Sequence, residues 1–371
     1  MALWDPSDIR KREKLFLSED ERAAIQAKLP LTETGEYFAD AVFEGGGVKG
    51  TAFLGALRCF SEVGVQWKRV AGTSAGAITA ALVVADFPIE DLERIIGQLD
   101  YENQILQEKT SPFIFNRSPE DDLDSPQWMI PNLLLVGQLG QYSTDPFKQW
   151  IAQVLSDRQI NTFQDIIRQR QGRALKVVIS DISLRKMVVL PDDLHKVYPN
   201  YVRKTVDFEV AEAVRLSMSI PFFFNPGKLA DSTIVDGGIL SNFPLWIYDV
   251  TTHHRPPRWP TFGFRISEDL SGRHSVNNAV DLLTGMLDTA LIASDRYHLQ
   301  RYEQERVIEI DTSQVTATEF NFTNEKKDDL YRNGYLATKD FLLKHWSWER
   351  HLQTRGYDSS KTSTAVSVNP Q

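Results

Sequence analysis

Hydrophobic and polar positions divide the chain unevenly. The first 36 residues are polar and charge-rich. Within them the pattern predicts a short helix after Ser18, where Ser18 followed by Glu21 fits a capping box. The basic run Arg10-Lys11-Arg12 with Lys14 reads as a solvated face, with a phosphate contact as the alternative. From Tyr37 the pattern changes. Tyr37–Phe43 is an apolar strand pattern ending at Glu44 and the glycines Gly45, Gly46 and Gly47. Residues 49–63 carry Phe53, Leu54, Leu57 and Phe60 at helical spacing, and 65–71 read as a second strand. That strand closes on Gly72-Thr73-Ser74-Ala75-Gly76, and the almost wholly apolar 77–84 suits a helix buried against a sheet. Strand, glycine turn, helix, repeated once, is a βαβα opening.

Further strands are predicted over 174–179, Lys186–Leu190, 233–235, 261–266 and 306–311, and helices over 208–217, 276–304 and 325–346. The fold class expected is α/β: a three-layer α/β/α sandwich with a mostly parallel central sheet. Residues 1–36 are expected to form an N-terminal helical extension, 37–270 the main α/β domain, 271–350 helices and a strand on the same core, and 351–371 a loose Ser/Thr-rich tail. Residues 110–143 stand out: prolines, the acidic knot Glu120-Asp121-Asp122, then an apolar run over 129–136. The segment reads as a lid or lipid-contacting flap, or else as a capping helix with its apolar side on the core.

Composition narrows the function classes. Lys and Arg number 41 against 50 Asp and Glu, a net charge of −9, which argues against a nucleic-acid-coating protein and against bulk attraction to anionic membranes. A single cysteine, Cys59, excludes an internal disulfide framework, a Cys₄ zinc cluster and a CxxC pair. No metal or other cofactor is implied. With no basic and apolar leader and no apolar window long enough to span a bilayer, the expectation is a cytosolic protein, working peripherally at membranes if its substrate lies there.

The chemistry concentrates in glycine loops. Gly45-Gly46-Gly47-Val48-Lys49-Gly50 satisfies GxGxxG, but no acid closes the second strand as a dinucleotide fold requires, and Lys49 is followed by Gly50 rather than Ser or Thr, so a P-loop fails too. Gly72-Thr73-Ser74-Ala75-Gly76 is a GxSxG between a strand and an apolar helix, the setting of a nucleophile elbow, although a plain strand-to-helix turn with a Ser cap fits the pentapeptide alone. Asp236 ends a short apolar strand before Gly237 and Gly238, as a base or as a turn aspartate. The histidines after it, His253, His254, His274, His298, His345 and His351, sit in no glycine-flanked loop and read as surface residues.

Together these segments resemble the patatin-like phospholipase family. Gly45 to Gly50 is similar to its GGGx[RK]G loop, Gly72 to Gly76 to its elbow, Asp236-Gly237-Gly238 to its DG[GA] motif, and Arg215 to Phe223 to its [RA]xSxSxPxxF stretch. The likeness runs from about Tyr37 to Phe243. The resemblance implies Ser74 as nucleophile and Asp236 as general base, without a histidine. It implies an oxyanion hole from Gly45, Gly46, Gly47 and Ala75, with Lys49, Gly50, Gly72, Gly76, Gly237 and Gly238 in support. The substrate expected is a phospholipid or other acyl ester at a membrane surface, with an activating ligand or protein partner as a property of such enzymes. A Ser-Asp-His α/β-hydrolase and a catalytically silent lipid-binding scaffold are the alternatives. The flap over 129–136 and Phe222-Phe223-Phe224 are the expected acyl-chain side, with the core as the other place for the phenylalanines.

Overall fold

The computed structural model describes residues 4–99, 140–169, 172–201, 205–249, 256–267, 304–315 and 323–357, with 285, 289 and 319 singly. Within these residues a sheet carries strands β1 (Tyr37–Phe43), β2 (Val65–Thr73), β4 (Ala174–Asp181), β5 (Lys186–Leu190), β7 (Gly227–Leu229), β8 (Ser232–Asp236), β9 (Thr261–Ser267) and β10 (Val307–Asp311). Their order is β10-β9-β1-β2-β4-β8-β7, with β5 on β4. The run from β10 to β4 is parallel, and β5, β7 and β8 are antiparallel to their neighbours. A separate two-stranded sheet pairs β3 (Gly140–Tyr142) with β6 (Phe222–Phe224).

Central strands are apolar on both faces, as a covered parallel sheet demands. Alternate residues feed different cores. Ala41, Phe43, Val177 and Ile179 join the larger cluster, while Val42 and Val178 join the smaller. The larger core lies under helices α3 (Thr51–Val63) and α4 (Ala75–Val84), which contribute only to it. The smaller is covered by Phe243 and the helical turn Leu245–Tyr248. The result is the expected three-layer α/β/α arrangement.

The N-terminal residues fold onto this core. Helices α1 (Ser7–Glu13) and α2 (Glu19–Gln26) bury Ile9 and Ile25, and the Ser18–Glu21 capping box forms. Three boundaries differ from the pattern. The helix read over 49–63 begins as a tight 3₁₀ turn, Gly47–Gly50, before α3. The helix read over 325–346 is α-helical over Asn324–Asp340 and widens to a π turn over Phe341–His345. Residues 351–354, expected to begin a loose tail, instead belong to the helix Trp348–Thr354, which buries Leu352 and sets His351 beside Trp346. That apolar contact was hidden by the polar residues around it. The helix read over 276–304, most of 110–143, and residues 358–371 lie outside the described residues.

Candidate active site

The glycine loop follows β1, and the elbow follows β2, the neighbouring parallel strand. Parallel neighbours end at the same edge, so the two loops lie together at the carboxyl ends of their strands. At Gly76 there is no room for a side chain: a Cβ there would stand 2.3 Å from the Phe43 carbonyl oxygen and 2.6 Å from that of Glu44. Ser74 is held at φ 53°, ψ −125°, a region that side chains rarely occupy. Such strain persists only where surroundings enforce it. Here the Ser74 N–H donates to Ser217 Oγ at 2.9 Å, and Ser217 Oγ donates to the Val178 carbonyl at 2.6 Å.

Asp236 reaches the serine by a substitution of strands. β2 pairs with β4 as far as Thr73 opposite Val178, then turns away at Ser74. β5 already occupies the far edge of β4 over 177–181. β8 therefore takes the edge that β2 vacates, pairing Asp236 with Ile179, one residue beyond Val178. The ends of β2 and β8 meet head to head, and Ser74 and Asp236 with them. Both side chains are almost fully buried, each 6% exposed. Asp236 Oδ1 accepts the Gly238 N–H at 2.8 Å, whereas Oδ2 meets no well-aligned donor. Burial is the dominant influence on this carboxyl and raises its pKa from 3.8 to about 6; interaction with the Ser74 hydroxyl and the Gly238 N–H pulls the other way. The Ser74 hydroxyl is thus close enough to interact without standing in an ideal hydrogen bond, a looseness common in unliganded sites.

Residues outside the three glycine motifs complete the frame. Asn242 donates from Nδ2 to the Gly45 carbonyl at 3.1 Å, and its own carbonyl accepts the Gly45 N–H at 3.1 Å. Glu44 is buried and accepts the Ile266 N–H at 2.5 Å, tying the loop to β9. Ser217 and Ser219 also accept, through their carbonyls, the N–H groups of Gly237 and Asp236. A buried acid directly before a glycine triplet was a visible signal; the clamping asparagine carried none.

Gly45 needs correction as an oxyanion donor. Its N–H is occupied by Asn242, and its role is clearance, since a Cβ would stand 2.2 Å from Asn242 Oδ1 and 3.2 Å from Ser74 Cβ. Gly46, Gly47 and Ala75 stand at the starts of helical turns, where no intrahelical carbonyl reaches an N–H. Lys49 is 2% exposed on the 3₁₀ turn, so it faces the interior rather than solvent. Gly50, by contrast, has ordinary space for a side chain. Gly72 closes β2 against the turn of Gly76, and Gly237 packs its backbone on that of Val178.

The histidines divide. His345 is exposed beside Asp340, but His351 is buried between aromatic rings, contrary to the surface reading, because Trp346 and Trp348 close over it. Neither bonds to Asp236; His253, His254, His274 and His298 lie outside the described residues. Phe224 is core at 1% exposure, Phe223 is half-buried, and only Phe222 stands open. The flap over 129–136 lies outside the described residues. No described helix is long and apolar enough to cross a membrane, and no group of three or more metal-ligating side chains occurs among the described residues.

The same segments carry likeness to known proteins. The chain is 36% identical over 318 residues to YqhO of Bacillus subtilis (strain 168), covering 84% of this chain and 100% of that one. It is 24% identical over 210 residues to the "Probable lipid hydrolase 463L" of Invertebrate iridescent virus 6, covering 57% and 63% of the two chains. VipD from Legionella pneumophila shares the fold at a TM-score of 0.52 and 19% identity, over 86% of this chain and 70% of that one. The family model described as patatin-like phospholipase matches residues 41–249, a span that holds the glycine loop, the Ser74 elbow and the Asp236 strand whose meeting the sheet register explains. On that match the chain belongs to the patatin-like phospholipase family.

Proposed function

We propose that the protein is a serine acyl hydrolase of phospholipids or related lipid esters, working through Ser74 and Asp236. The observation that carries this reading is the strand substitution on β4, which sets a buried carboxylate with an unengaged oxygen beside a strained serine. In this mechanism Ser74 Oγ attacks the ester carbonyl as its proton passes to Asp236 Oδ2. The N–H groups of Gly46, Gly47 and Ala75 stabilise the tetrahedral oxyanion; loss of one such donor costs about 2.7–4 kcal/mol in comparable sites. The protonated Asp236 then gives its proton to the departing alcohol oxygen, leaving acyl-Ser74. Water, surrendering a proton to Asp236, attacks the acyl-enzyme, and Asp236 returns that proton to Ser74 Oγ as the fatty acid leaves.

A pKa raised toward the working pH makes the carboxylate a better proton acceptor than an exposed aspartate. The viral relative's printed description as a probable lipid hydrolase supports the same substrate class. Asp236 interacts directly with the Ser74 hydroxyl, where a triad would set an imidazole between the two, and this favours a dyad.

The test is covalent labelling with a fluorophosphonate, combined with mass spectrometry of products from mixed phospholipids and triacylglycerol. Label on Ser74 and free fatty acid release, both lost in Ser74→Ala and release lost in Asp236→Asn, are expected. A folded wild type that neither labels nor hydrolyses would make the protein a lipid-binding scaffold instead. Full hydrolysis by Asp236→Asn would refute the dyad.

A further inference from the structure

The turn between β4 and β5 has its polarity inverted. Asp181 is fully buried, accepting the Leu184 N–H at 2.8 Å and the Tyr198 hydroxyl at 2.6 Å. Ser183 Oγ accepts the Thr233 N–H at 2.9 Å. Asp181 is thus turned inward and Ser183, though exposed, is tied to β8, while Ile182 and Leu184 point out, 49% and 50% exposed. Turns ordinarily do the reverse. The tip is also firmly built, since Ile182 N–H bonds the Thr233 carbonyl and ties the hairpin to β8. Exposure here is a fixed feature of the fold.

Cations surround the apolar pair. Arg185 and Lys186 follow directly, both exposed, and neither forms an ion pair among the described residues. Lys228 stands opposite Thr233 on β7 and donates to its Oγ1 at 2.6 Å. Asp231, in the β7–β8 turn, is the nearest exposed acid in sequence. This is a local excess of positive charge on a chain of net −9.

The location completes the argument. β4 is parallel to β2, so its carboxyl end lies at the edge of the sheet that bears Ser74. Asp236 pairs with Ile179, and β4 continues for another two residues before the turn. At about 3.3 Å per residue the tip projects roughly 10 Å past the level of the two catalytic side chains.

We propose that the β4–β5 tip is a membrane anchor: Ile182 and Leu184 enter an anionic lipid surface while Arg185, Lys186 and Lys228 meet its phosphates. The proposal deepens the lipid acyl hydrolase reading and rests on it for the identity of the surface. Paired aliphatic side chains with flanking cations suit an interface, where the apolar parts sink below the headgroups and the charges remain among them. A local patch of this kind lets a net acidic protein approach anionic lipid in one orientation, active-site edge first. A protein partner would need no such charge, and a second copy would face the same cations.

The test compares Ile182→Asp/Leu184→Asp and Arg185→Glu/Lys186→Glu with wild type, using vesicles of phosphatidylcholine with and without phosphatidylglycerol. Wild type should sediment with the anionic vesicles. The apolar variant should bind at least about tenfold more weakly. The charge variant should lose roughly fivefold per cation, and that loss should shrink in high salt. Hydrolysis of vesicle lipid should fall with binding, while turnover of a soluble short-chain ester and fluorophosphonate labelling of Ser74 stay at wild-type levels. Since Cys59 is fully buried, Leu184→Cys can be labelled selectively with an environment-sensitive fluorophore. Its emission should shift to the blue on anionic vesicles, a readout independent of the charged substitutions. Unchanged vesicle binding in both variants, or no blue shift, would overturn the anchor and leave the hydrolase reading intact. Variants that lose self-association rather than vesicle binding would overturn it in favour of a dimer contact. Loss of vesicle binding in the variants of a protein that shows no esterase activity or labelling would uphold the anchor and sink the hydrolase.

Discussion

In the proposed mechanism Asp236 works in its charged form, and burial makes that charge costly to stability. Its folded pKa of about 6 lies above the ordinary value of 3.8, so the folded protein holds the proton more tightly than the unfolded chain does. Stability attributable to this group is therefore highest below about pH 4 and falls as pH rises toward 6 and beyond. As the proposed base, however, Asp236 is competent only when ionised. The acid limb of kcat/KM on a soluble ester is accordingly expected near pH 6, as the pKa of the free enzyme's Asp236. Asp236→Asn should abolish turnover, yet at pH 8 it should raise unfolding free energy by about 3 kcal/mol, a gain that fades near pH 4. Calorimetry at the two pH values checks this; a loss of stability at pH 8 would show that the carboxylate is better solvated than its burial implies. Ser74, Asp236 and the glycines were legible in the sequence because each occupies a short motif. Asn242 was not, since its work is to bond the backbone of a segment far away in sequence, and Ser217, though inside the Arg215-to-Phe223 stretch, gave no sign there that it holds the Ser74 N–H.

At the scale of elements, the contact between α3 and the helix Asn324–Asp340 is nearly backbone to backbone. A Cβ on Gly55 would stand 1.9 Å from the Tyr331 carbonyl oxygen, and one on Gly334 would stand 1.9 Å from that of Ala52. Neither carbonyl belongs to a flexible side chain, so the helices themselves must separate. Gly334→Ala is expected to destabilise the fold by about 3 kcal/mol despite its better helix propensity, measured by urea unfolding. An unchanged midpoint would mean the helices pack less closely than this. Apolar runs announced α3, α4 and the central strands, because burial on both sides leaves a simple pattern. The switch from 3₁₀ to α-helix at Thr51 and the π turn at Phe341 left no pattern of their own. Each spans only four or five residues, too few for its altered turn to show in the spacing of apolar positions.

For the whole molecule, the outlying segments close the core rather than decorate it. Glu62 on α3 accepts the Leu17 N–H at 2.8 Å, Arg10 at 3.2 Å and the Tyr335 hydroxyl at 2.7 Å, joining three distant parts of the chain through one carboxylate. Arg58 pairs with Glu93, which also accepts the Tyr331 hydroxyl. Trp4, Ile9, Leu15, Leu17 and Ile25 are buried from the N-terminal side. Removal of residues 1–36 should therefore lower Tm by roughly 10 °C or more and expose dye-binding apolar surface. A truncated protein with wild-type Tm would restore the N-terminal segment to the status of a detachable extension.

The sequence by itself determined the α/β class and the family, and marked Ser74 and Asp236 as candidates, because those depend on local periodicity and on motifs a few residues long. Only the tertiary structure decided how the two side chains meet. Strand β8 must replace β2 on the edge of β4, and that is a matter of register between segments separated by more than a hundred residues. It decided as well that Gly45 makes room rather than donates, that His351 is sealed in aromatic packing, and that a hairpin tip turns its apolar side chains outward. Each of these depends on which distant groups fill the surrounding space and consume the hydrogen bonds, and a linear pattern carries no record of that.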